Sequence, residues 1–108
     1  MDSTLDIIIA GCDKIDAVIT ANFSRLVEHP DVLEACRELS GKIRTERFFQ
    51  REHELASISK ETKKFEEKVK TLDPLNQLDC CKKIINIANQ IHGQINDSVF
   101  VHRSSPRP

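Results

Sequence analysis

Leu55, Ile58, Phe65, Val69 and Leu72 follow one another at steps of three, seven, four and three. Side chains at that spacing fall along one stripe of an α-helix, which turns once in about 3.6 residues. The first third of the chain repeats the pattern through Leu5, Ile8, Cys12, Ile15, Ile19 and Leu26, broken only at Asn22. The last third repeats it through Leu75, Leu78, Cys81, Ile84, Ile85, Ile87, Ala88, Ile91 and Ile95. Each stripe has to be buried against another helix. With only three glycines and four prolines available for turns, a β-sandwich or barrel is disfavoured. The expected class is all-α, and 108 residues allow one domain.

Punctuation divides the pattern into three helices. Ser3 or Thr4 caps a helix over 4–28 that Pro30 ends, because the residue before proline avoids helical backbone. Asp31 is placed to cap a second helix, read as one long element over 31–71, kinked or locally broken near Ser40-Gly41. Unbroken, it would be roughly 60 Å long, more than a compact domain of this size spans. Asp73-Pro74 opens a third helix over 74–98, with Asp as cap and Pro at the first helical position. The expected architecture is an antiparallel helical hairpin or elongated three-helix bundle with coiled-coil character, one domain over 1–101. Residues 102–108 read as a disordered tail.

Charge is unevenly distributed although it nearly cancels. Residues 1–41 hold eight acidic and three basic side chains, whereas 42–71 hold nine basic and six acidic. The simplest reading is attraction between two helices of one fold. Glu38 with Lys42, Lys63 with Glu67, and Glu66 with Lys70 are spaced to pair along a helix. No secretory signal, membrane span or lipid anchor is expected from these residues. An intracellular location, cytoplasmic or nuclear, follows as the expectation, with Cys12, Cys36, Cys80 and Cys81 reduced.

Chemical constellations are sparse. Cys80 and Cys81 are neighbours, about 100° apart around a helix, and lack the spacing and second pair that zinc demands. Lys82 and Lys83 would favour a thiolate, which leaves a thiol-dependent redox role as a distant reading. His29, His53, His92 and His102 form no helical ligand pair, and no glycine-rich phosphate loop occurs. No metal, cofactor or catalytic group is expected. Lys42, Arg44, Arg47 and Arg51 make segment 42–51 basic, so a small helical nucleic-acid-binding module is the alternative function. Glu46, Glu52 and Glu54 dilute that charge.

Two features point to protein partners. Residues 84–96 contain no Asp, Glu, Lys or Arg in a chain that is 31% charged. Charge depletion around an apolar centre marks interface cores. Phe48 and Phe49 are adjacent, so they cannot both enter one narrow seam. The expected function is a non-catalytic helical scaffold or adaptor subunit of a homo- or hetero-oligomeric intracellular complex. Its expected partner-binding residues are Phe48, Phe49, Ile84, Ile87, Ile91 and Ile95.

Overall fold

The computed structural model describes residues 4–45 and 51–104, with side chains over 5–45 and 57–97. Its helices are α1 (Thr4–Ala21), α2 (Phe23–Leu26), α3 (Pro30–Thr45), α4 (Arg51–Leu72) and α5 (Asp79–Ser104). No strand occurs among the described residues. Four of the helices are long, and each packs on two others in the cyclic order α1, α3, α4, α5. The molecule is 22 by 20 Å in cross-section, the width of two helices each way. Consecutive long helices are antiparallel neighbours. Arg44 near the end of α3 meets Asp13 of α1, and Lys42 meets Glu61 of α4.

Each of the three expected helices changes. The first does not run unbroken to 28. It stops at Asn22, whose side-chain amide donates to the Val18 carbonyl at 2.9 Å while its backbone N–H reaches the same oxygen at 3.1 Å. A polar residue on the apolar stripe competes for the backbone there, and α2 beyond it buries Leu26. Pro30 starts α3 rather than merely ending its predecessor. Proline's missing N–H costs nothing at the first helical position, and the His29 carbonyl accepts the Val32 and Leu33 N–H groups at 3.0 Å each. Asp31 lies in the first turn of α3 instead of capping it.

The single helix over 31–71 is replaced by α3 and α4, antiparallel and packed together. Gly41 does not break α3, which runs on to Thr45. A helix tolerates one interior glycine at about 1 kcal/mol. The third helix begins five residues later than expected, at Asp79 rather than 74. Asp73 does cap, but what it caps is the turn ahead of α5. Its buried carboxylate accepts the Gln77 N–H at 3.0 Å and the Leu78 N–H at 2.9 Å. That holds Pro74 and Leu75 in a turn completed by Asn76 at φ 54°, in the left-handed region asparagine tolerates. At its other end α5 continues to Ser104, so 102–104 are helical where a disordered tail was expected. Residues 105–108 lie outside the described residues.

Isoleucine fills the core. Ile8 and Ile15 of α1, Ile43 of α3, Ile58 of α4, and Ile84, Ile91 and Ile95 of α5 are each under 2% exposed. Burying each such side chain contributes roughly 1.5–3 kcal/mol. Gly11 on α1 is required by this packing. A methyl group built there would overlap Cγ1 and Cδ1 of Ile91, so its absence lets α1 and α5 approach closely.

Candidate partner-binding surface

Of the expected contact residues, Ile84, Ile91 and Ile95 point inward and are fully buried among the chain's own helices. They are core, not surface, because the missing wall of their stripe is supplied by α1 and α4. Ile87 is partly buried at the edge of the core. Phe48 and Phe49 lie outside the described residues.

Turning the isoleucines inward leaves a distinct outer surface on α5. Over 84–96 the exposed side chains are Asn86, Asn89, Gln90, Gln94 and Asn96. Cys80 and Ile91 share one flank of α5. Ile91 meets Gly11, so that flank faces α1. Lys83, Ile87, Gln90, Gln94 and Asp97 lie farther out on the same side, by their helical positions. The exposed positions on the same flank of α1 include Ala10, Lys14, Ala17 and Ala21. On α5 the face is uncharged from 84 to 96, and Lys14 is a charge that α1 places beside it.

The opposite seam differs in kind. Between α3 and α4 lies an open groove of about 500 Å³ with Ala35, Leu39, Phe65 and Leu72 at its base. Glu38, Lys42, Glu61 and Lys64 stand around it, tied by Lys42 to Glu38 at 3.3 Å, Lys42 to Glu61 at 3.4 Å and Lys64 to Glu61 at 3.6 Å. The expected Glu38–Lys42 pair is thus present, and Lys42 also bridges to α4. Its ammonium is held above its ordinary pKa by the Glu38 hydrogen bond first and by the Glu61 charge second.

A polar cluster between α1 and α3 escaped the sequence reading. Ser40 is buried and donates to Asp16 Oδ1 at 2.7 Å, while Arg44 donates to Asp16 Oδ2 at 2.8 Å. The Cys12 thiol points at the Ser40 carbonyl at 3.6 Å. A signal existed: Ser40 falls four residues from Cys36, on the inward side of α3, where an unpaired hydroxyl would be costly. Arg44 and Lys42 are half of the basic set that suggested nucleic-acid binding, and both face carboxylates of their own chain. Arg47 lies outside the described residues, as does the side chain of Arg51.

The thiols are poorly suited to redox attack. Burial pushes Cys12 up to about 11, overriding the opposing effect of Arg44. Cys81 is raised strongly by its hydrogen bond to Cys36 and by burial, and Cys80 is raised by burial beside Cys81. Lys82 and Lys83 are exposed and do not reverse this. Protonated thiols are weak nucleophiles.

At one end of the bundle Phe23, Val27 and Leu75 are exposed apolar side chains on the two turns that meet there. Arg25 links the turns by donating to the Gln77 carbonyl at 3.3 Å, and Arg37 lies 5.7 Å from the Phe23 ring centroid. No described helix is long and apolar enough to cross a membrane. No family model, curated protein or solved structure matches the chain.

Proposed function

We propose that this chain is a non-catalytic helical subunit that joins a protein assembly through the outer face of α5. The observation that carries the reading is the run of outward amides between buried isoleucines, without one charged residue over 84–96. A helix face meant only for water has no reason to avoid Lys and Glu, and α3 and α4 use both freely. Amides can be buried in an interface at lower desolvation cost than charges, provided a partner supplies hydrogen bonds. The stripe through Ile87, Gln90 and Gln94 keeps a three-and-four spacing, which suits coiled-coil-like packing of another helix. Four free thiols suit a reducing, intracellular setting.

The test is native fractionation of the tagged chain from its own cells, wild type beside Gln90→Glu/Gln94→Glu. The wild type should run in a complex larger than the monomer. The variant should leave that complex while keeping helical content and thermal midpoint. A wild-type chain that runs as a monomer, or a variant still in the complex, would sink the proposal.

A further inference from the structure

We infer that the outer face of α5 pairs with α5 of a second copy of this chain, antiparallel, about a two-fold axis passing by Gln90. This rests on the assembly role proposed above and names the partner. Lys83, Ile87, Gln90, Gln94 and Asp97 succeed one another at steps of four, three, four and three, so they form one straight stripe. All but Ile87 are exposed, and Ile87 is partly so. Lys83 and Asp97 are opposite charges, each seven positions from Gln90. A two-fold axis at Gln90 therefore sets Lys83 of each copy opposite Asp97 of the other, twice over. Between the charged ends the stripe carries no charge, so no like charges meet along α5 itself.

The alternative parallel alignment would place Lys83 against Lys83 and Asp97 against Asp97. Like charges brought together oppose association, so the charges select the antiparallel arrangement. Among the described residues neither Lys83 nor Asp97 has an ion-pair partner within its own chain. Gln90 meets its own counterpart at the centre, where two amides can exchange hydrogen bonds. A polar central pair fixes register at a cost in affinity. The expected object is a concentration-dependent dimer rather than a permanent one, since an interface with one aliphatic residue in its stripe buries little apolar surface.

Sedimentation velocity on the full chain over a wide concentration range tests this, using Lys83→Glu, Asp97→Lys, their equimolar mixture and the double variant. The wild type should dimerise, and each single reversal should weaken dimerisation at least tenfold. The mixture should regain it, because Glu at 83 then faces Lys at 97 and the untouched pair stays matched. The double variant should match the wild type. A wild type that stays monomeric, single reversals that dimerise undiminished, or a mixture no better than its components each overturn the pairing. If the wild type is monomeric alone yet enters a larger complex that Gln90→Glu/Gln94→Glu leaves, the pairing fails and the assembly role stands. If it is monomeric in both settings, both fail.

Discussion

The α1/α5 seam and the α3/α4 seam lie across the bundle from each other and solve the same problem differently. At the first, Gly11 removes a side chain so that Ile91 can fill the space, and few charges lie outside the contact. At the second, the outer part of the seam stays open as a groove, bridged by Lys42 and Glu61. Close packing gains dispersion contacts over every atom of the seam, whereas exposed ion pairs contribute roughly 0–1 kcal/mol each. The first seam should therefore be sensitive to single methyl groups and the second tolerant of whole side chains. The exterior of the first seam is uncharged on α5 over 84–96, unlike that of the second.

The sharpest way to break the contrast is at the tight contact. Ile91→Ala should cost about 2–5 kcal/mol in urea unfolding, from lost burial and the cavity left behind. Gly11→Ala should cost about 1–3 kcal/mol by overpacking, despite the roughly 1 kcal/mol that alanine gains over glycine in a helix. Together they should be less damaging than their sum, because the shortened residue 91 vacates the space the new methyl needs. Strict additivity would mean the two residues do not compete for one volume.

Next in size is the alkaline limit. The folded chain holds the Cys12 proton up to about 11, against an ordinary value of 9.0. That stabilisation is complete below pH 9 and declines as pH rises from 9 towards 11, by roughly 3 kcal/mol at most for this group. Cys12→Ala should flatten the slope of unfolding free energy over that window, relative to wild type. An unchanged slope would dissociate the loss from Cys12.

Asp16→Ala should cost about 1–3 kcal/mol, because the buried Ser40 hydroxyl loses its acceptor. Asp16→Asn keeps an acceptor and should recover part of the loss; equal losses would place the effect in charge rather than in the Ser40 bond. The smallest effect belongs to Gly41, where a methyl group meets nothing within 4 Å. Gly41→Ala should raise stability by up to about 1 kcal/mol, opposite in sign to the same change at Gly11. Matching signs in thermal melts would mean that Gly11 is no more crowded than an open helix surface.

Much of the helical content was legible because burial periodicity does not depend on what supplies the opposite wall. Ile8, Cys12, Ile15 and Ile19 keep their spacing and are buried as it predicts. That same indifference is why Ile84, Ile91 and Ile95 could be read as partner contacts. A stripe records that something covers it, not whether the cover is the same chain. Reading α3 and α4 as one helix lost a wall of the bundle and left an apparent surplus of apolar surface. Gly41 misled for a related reason, since glycine marks both turns and open helix surface, and only the three-dimensional surroundings tell which. Asp73 was legible as a cap, but the geometry that sends its carboxylate four and five residues onward was not. The candidate surface itself was half visible: the missing charges were plain, while the direction in which the amides point needed the bundle.

The ring order of the bundle has a consequence for its synthesis. A ribosome delivers α1, α3 and α4 before α5, so the Gly11 side of α1 waits uncovered until the last of these helices arrives. That helix both closes the core and carries the candidate assembly face. Until α5 is made, the stripes of α1 and α4 that it covers stay open to chaperones and proteases. The candidate face is therefore presented by the same helix whose arrival closes the core.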